Sequence, residues 1–148
     1  MPTFQFQEKR TRLWAIPLPI LALIFPILLI PFEKIFSHGC LIEEAAKLVL
    51  VLFVSLQIPE RSFQWKMVLI LGCVFALSES AFYLPSFEGG SMIRLFSERI
   101  LLTTTLHVFT MMILLFFIRR GRWFIVPGFA LAVASHFLYN EFVVYFFN

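Results

Sequence analysis

The chain contains no aspartate; all nine of its acidic residues are glutamate. Charge of either sign is scarce, at 14% of 148 residues, where soluble domains carry about 25%. Cysteine is limited to Cys40 and Cys73, expected near a membrane edge and in mid-span, which argues against a disulfide and against a thiolate metal site. No segment alternates polar and apolar residues with the roughly ten-residue period of a transmembrane barrel. These shortages exclude a soluble enzyme, a disordered chain and a nucleic-acid binder. What is abundant is apolar: 60% hydrophobic residues, including 20 Phe, and a mean hydropathy of +0.89. The bulk of such a chain belongs in a bilayer.

A helix needs about 20 mostly apolar residues to cross the hydrocarbon core. Five stretches qualify, at 13–31, 38–57, 66–84, 95–118 and 123–147. The expected fold is therefore all-α: one integral-membrane domain over residues 1–148, a polytopic transmembrane helical bundle of about five spans. Lipid offers no partner to the backbone groups of an open strand, so nothing else is available to these segments. Pro17, Pro19, Pro26 and Pro31 predict a kinked first span. No small-x-small cleavage site follows that span, and Glu33 and Lys34 interrupt the approach to Cys40, so it is expected to be retained.

The basic residues predict an orientation. Lys9, Arg10, Arg12, Arg61, Lys66, Arg119, Arg120 and Arg122 all fall on one side of a five-span arrangement, against Lys34 and Arg94 on the other. By the positive-inside rule the N-terminus is cytoplasmic and the C-terminus outside, most naturally in the cytoplasmic membrane of a cell. The basic pI of about 9.1 is thus an orientation signal and calls for no nucleic acid.

Against this background, polar residues inside the spans need a reason, because an ionisable group at the bilayer centre costs at least about 2.5–3.5 kcal/mol. The second span opens with Glu43-Glu44-Ala45-Ala46-Lys47. Lys47 projects about 40° from Glu43 and about 60° from Glu44, so either carboxylate is within its reach. A glutamate kept ionised but poorly solvated is what a general base requires; alternatively the pair sits among the headgroups at a helix start. The third span carries Phe75 and Glu79 one turn apart, followed by Ser80. The fourth holds His107 near mid-membrane, with Thr103 and Thr104 before it and Met111 after. The fifth carries His136 and Asn140 on one face, with Gly128 and Ala132 below allowing a close helix approach. Polar groups on four separate helices are most economically explained by one internal site. It should lie in the outer half of the membrane, although His107 looks deeper than the rest by about 10 Å.

Two glutamates, two histidines and an amide form a water-activating set, suited to hydrolysing an amide without a covalent intermediate. Ser78, Ser80 and Ser135 have no evident base in a motif. An aspartyl mechanism is excluded for want of aspartate. Zinc would find candidate ligands in His107, His136 and Glu, but there is no H-E-x-x-H motif and Lys47 would repel a cation. No metal and no other cofactor is expected.

Glu43-Glu44-x-x-Lys47, Phe75-x-x-x-Glu79, Arg99 with His107 eight residues on, and His136-x-x-x-Asn140 follow one another in that order. In this the chain resembles the PrsW-type intramembrane proteases, which are related to the type II CAAX prenyl endopeptidases and to the scaffold subunit of γ-secretase. The resemblance covers roughly residues 40–141. It implies a glutamate-dependent endopeptidase that cuts membrane-anchored proteins or peptides near the bilayer surface. Glu43 would be the base, with Glu44 and Lys47 supporting it. Glu79 would hold the water, His136 and Asn140 would form the oxyanion site, and His107 would be a further site residue, with Arg99 in support. Ser80 departs from the Asn usual in PrsW relatives, and Asn140 from the frequent Asp, which brings the last motif closer to the CAAX branch. Two other readings stay open: a catalytically silent scaffold that holds a partner helix, and a small proton- or ion-coupled transporter, against which the lack of an inverted repeat counts.

Overall fold

A computed structural model describes residues 13–35, 39–83 and 92–147. Five α-helices account for nearly all of them: α1 (Pro17–Ile35), α2 (Gly39–Gln57), α3 (Arg61–Tyr83), α4 (Met92–Ile118) and α5 (Ile125–Phe147), the last preceded by a 3₁₀ turn at Arg122–Phe124. No strand occurs among the described residues. Three helical segments, Arg61–Ala81, Ile100–Ile118 and Arg122–Val143, are long and apolar enough to cross a membrane. The remaining two expected spans are less simple. The apolar part of α1 is the shorter Pro17–Phe32, and α2 carries Glu43, Glu44 and Lys47 within its first half.

Local sequence sets these boundaries. Pro17 opens α1, four residues after the expected start, because a missing N–H is harmless in a first turn. The helix then continues through Pro26 and Pro31. Pro26 leaves the Ala22 carbonyl without its helical donor, and Ser78 on α3 donates to the neighbouring Leu23 carbonyl at 2.6 Å. Pro59 separates α2 from α3. There the Gln64 side-chain amide donates to the carbonyl of Ile58 at 2.7 Å and, at 3.3 Å, to that of Ser55, closing the end of α2. As a result Arg61 and Lys66 stand in the first turns of α3 rather than in a loop. Lys9, Arg10 and Arg12 lie outside the described residues.

The interior has two halves. Leu18 and Ala22 of α1, Leu50, Val51 and Val54 of α2, Met67, Val68 and Leu71 of α3, and Met111, Leu114 and Leu115 of α4 are buried together as an apolar core. The other half buries Glu44, Lys47, Ser78, Ser80, Thr103, His107, Thr110 and His136. α5 packs on α2 and α4 and exposes Val126, Leu131, Phe137, Leu138 and Phe142, large apolar side chains that suit lipid.

Glycine marks the two tightest crossings. A Cβ at Gly72 of α3 would lie 2.7 Å from the Val108 Cα of α4, and one at Gly128 of α5 would lie 2.5 Å from the Phe117 Cβ of α4. Close approach here brings the polar side chains of α3, α4 and α5 within reach of one another.

Candidate functional site

α2 enters the polar half through its first turns. Glu44 and Lys47, three residues apart, are both fully buried and joined by a hydrogen-bonded ion pair. Of the two contacts the spacing allowed, the lysine makes this one. Its Nζ also reaches the Thr110 hydroxyl on α4 at 3.4 Å and lies 5.3 Å from the centre of the Phe75 ring on α3. The same Glu44 oxygen, Oε1, stands 2.8 Å from His136 Nδ1 on α5. One carboxylate therefore ties α2 to α5 while its lysine ties α2 to α3 and α4. An isolated charge buried here would be costly; the pair and its hydrogen bonds make it tolerable.

The second half of the site is formed by α3 and α4. His107 Nε2 lies 2.5 Å from Glu79 Oε2. Phe75, one turn before Glu79, packs against His107 with ring centroids 5.1 Å apart. The depth mismatch expected between Glu79 and His107 is closed by side-chain direction. Helical side chains lean toward the N-terminus of their own helix. In the antiparallel pair α3 and α4, Glu79 and His107 therefore lean toward each other.

The two halves meet at the histidines and at Glu43. The rings of His107 and His136 are perpendicular, with centroids 5.7 Å apart. Glu43 Oε2 lies 3.9 Å from His136 Nε2, and Glu43 and Glu79 are the partly accessible carboxylates of the group, at 12% and 21% side-chain exposure. Glu43, Glu79 and His107 each offer one ligand atom, all within 4.8 Å of one another. These three residues could hold a metal ion. Lys47 does not bar a cation from this position, because its charge is already offset by Glu44. Glu44 Oε2, His107 Nδ1 and Ser80 Oγ are buried without a hydrogen-bond partner in the protein.

Of the residues singled out from sequence, Glu43, Glu44, Lys47, Glu79, His107 and His136 come together. Asn140 does not: it is exposed to the surroundings of the bundle. The buried stripe of α5 runs Gly128, Ala132, His136 and then turns to Tyr139, whose hydroxyl is 3.2 Å from that of Thr103 on α4. A third step of four residues, to Asn140, has drifted off this stripe to the exposed side of the helix, because each such step turns about 40°. The Arg99 side chain lies outside what the structure describes. Cys40 and Cys73 are both free thiols, as expected. Thr110 is the contributor the sequence reading missed. Its only signal is its place three residues after His107, a spacing that hydroxyls in apolar helices adopt for many reasons.

Comparison with protein-family models, with curated proteins and with solved structures found no match to this chain.

Proposed function

We propose that the protein is a membrane-embedded endopeptidase of the glutamic type, hydrolysing a peptide bond of membrane-anchored substrates with a glutamate-activated water. The observation that carries this reading is the convergence of Glu43, Glu44, Glu79, His107 and His136 from four helices into one buried cluster. The order of their motifs, which resembles that of PrsW-type and CAAX-type proteases, supports it.

The cluster separates the two adjacent glutamates. Glu44 is fully buried and engaged by Lys47 and His136, so its part is to hold His136 in place. Glu43 retains access and faces Glu79 and His107, which makes it the base. A water held by Glu43 on the side facing Glu79, whose ligand atoms lie within 4.8 Å of each other, is placed to attack a carbonyl carbon. Glu43 takes the water proton as the new C–O bond forms. With Nδ1–H donated to Glu44, a protonated His136 presents Nε2–H to the oxyanion. The proton on Glu43 then passes to the leaving amine as the C–N bond breaks. Glu79, oriented by His107, holds the water from the opposite side.

The basic residues at Arg61, Lys66 and Arg119–Arg122 support a cytoplasmic position for the start of α3 and the end of α4. A five-span arrangement with the N-terminus inside then places the cluster in the outer half of the cytoplasmic membrane.

The decisive experiment uses purified protein in vesicles with single-span reporter substrates. Glu43→Gln should lower cleavage by about 10²–10⁴-fold, the range of a lost general base. Glu44→Gln should lower it as well, through a misplaced His136. Unchanged cleavage in both variants overturns the reading, whereas an unaltered protein that cleaves no reporter and co-purifies with a partner helix leaves the scaffold. A zinc-dependent version of the same hydrolysis is the second reading, favoured by the Glu43, Glu79 and His107 grouping. Chelation followed by metal restoration would abolish and recover activity in that case and change nothing in the first.

A further inference from the structure

The end of the bundle where α3 begins and α4 finishes gathers charge of one sign. Arg61 and Lys66 stand in the first turns of α3, and Arg119, Arg120 and Arg122 follow the last turn of α4. Arg119 touches Trp65 of α3, so the two groups share one end. Among the described residues Glu60 is the one carboxylate there, and the Ser62 hydroxyl donates to it.

The three arginines are arranged as the other two cations are not. Each guanidinium lies over an aromatic ring: Arg119 over Trp65 at 5.6 Å, Arg120 over Phe116 at 4.4 Å and Arg122 over Trp123 at 5.1 Å. Among the described residues no carboxylate pairs with any of them. A ring takes up one face of a guanidinium and leaves its in-plane N–H edge unspent. Gly121 accounts for their closeness. Its φ of +124° turns the chain between Arg120 and Arg122, so three cations fall within four residues. Like charges held this near repel one another unless an anion lies among them.

The donors and their neighbours together specify the anion. A planar N–H fork matches the oxygens of a phosphate, which a lysine meets only as a point charge. Large apolar side chains adjoin the same turn, with Trp123 79% and Val126 74% exposed. A soluble polyanion offers these side chains nothing. A phospholipid carries a phosphate and an acyl chain in one molecule, and tryptophan at a helix end suits headgroup depth. A choline headgroup would set its own cation against the arginines, so the headgroup must be anionic. We propose that the turn at 119–122 binds the phosphate of an anionic phospholipid, whose acyl chain lies against the apolar side chains beside it. An orientation signal needs positive charge of any kind; this site needs arginine. It stands whether or not the protein cleaves peptides.

The test measures lipid association directly. The purified full chain is reconstituted in phosphatidylcholine vesicles with a trace of spin-labelled phosphatidylglycerol or, separately, of spin-labelled phosphatidylcholine. Electron paramagnetic resonance reads the share of label held against the protein. Phosphatidylglycerol should be preferred by about fivefold or more. Arg119→Lys, Arg120→Lys and Arg122→Lys together keep every charge and should remove most of that preference. Trp65→Leu, which takes away the ring beneath Arg119 and no charge, should weaken it in part. Arg61→Gln with Lys66→Gln removes two charges and should cost less than the three lysines do. Equal association of the two labels overturns the proposal. So does a preference that survives the lysine variant and falls only as charge is removed, because surface charge alone then explains it. Release of the label by inorganic phosphate or polyglutamate at unchanged ionic strength also overturns it, and assigns the turn to a soluble anion.

Discussion

Lys47 is the residue on which most of the site's geometry hangs. It has no access to water and touches α2, α3 and α4 at once through Glu44, Phe75 and Thr110. Removing one member of a buried ion pair strands the other, at a cost of about 3–5 kcal/mol, whereas removing both can be nearly neutral. Lys47→Met should therefore destabilise the protein strongly, and adding Glu44→Gln to it should recover much of the loss. Denaturant titration of the four members of this cycle in detergent checks it, and additive losses would mean that the pair does not interact. Thr110→Val should cost about 1 kcal/mol by the same titration, the worth of an ordinary hydrogen bond. At this scale the sequence was informative where a residue was out of place in lipid. Glu43, Glu44, Lys47, Glu79, His107 and His136 betray themselves by their expense, and all six meet. Asn140 and Thr110 show the limit of that signal. An amide near a helix end and a hydroxyl in a span are cheap enough to face either way, and which way is decided by the width of the neighbouring helix.

Among the helices, position is governed by the smallest residues. Gly72 sets how close α3 comes to α4, and it shares a face with Phe75 and Glu79, three and seven residues on. Gly72→Ala would force these helices apart where no side chain can yield, because the obstructing atoms include the backbone of Val108. We expect the Glu79–His107 contact to loosen and any catalytic turnover to fall, with the fold retained; circular dichroism beside a cleavage assay separates the two. Gly121 acts differently. Its φ of +124° is a conformation other residues rarely adopt, yet a Cβ there would meet nothing within 4 Å. Gly121→Ala should cost about 1–3 kcal/mol from backbone strain alone, read as a lower unfolding midpoint with unchanged activity per folded molecule. The number and type of the helices were legible from hydropathy alone. Their ends were not, since Pro17 and Pro59 move them by several residues through local stereochemistry that an apolar count ignores. Nor does hydropathy reveal that α2 is a helix whose first half belongs to the site.

Across the whole molecule, two kinds of interior are stacked in one bundle: a dry apolar half and a half containing paired charge. The topology that goes with this is directly testable. Thiol probes placed at Ser62→Cys and Arg120→Cys should both be labelled from the cytoplasmic side by a membrane-impermeant reagent, and a tag after α5 should be reached from outside. Labelling of the two cysteines from opposite sides would refute the arrangement. The divided interior also bears on how the protein is made. α2 emerges from the ribosome before α4 and α5, carrying a glutamate whose hydrogen-bond donor on α5, His136, does not yet exist. Lys47 alone is available to offset it, three residues away on the same helix. Insertion must accept an ill-matched second helix and wait for the fifth to complete its surroundings. The latest of these five helices to be synthesised is thus also the one that assembles the cluster, so the first four pass through the membrane machinery without the cluster in working order.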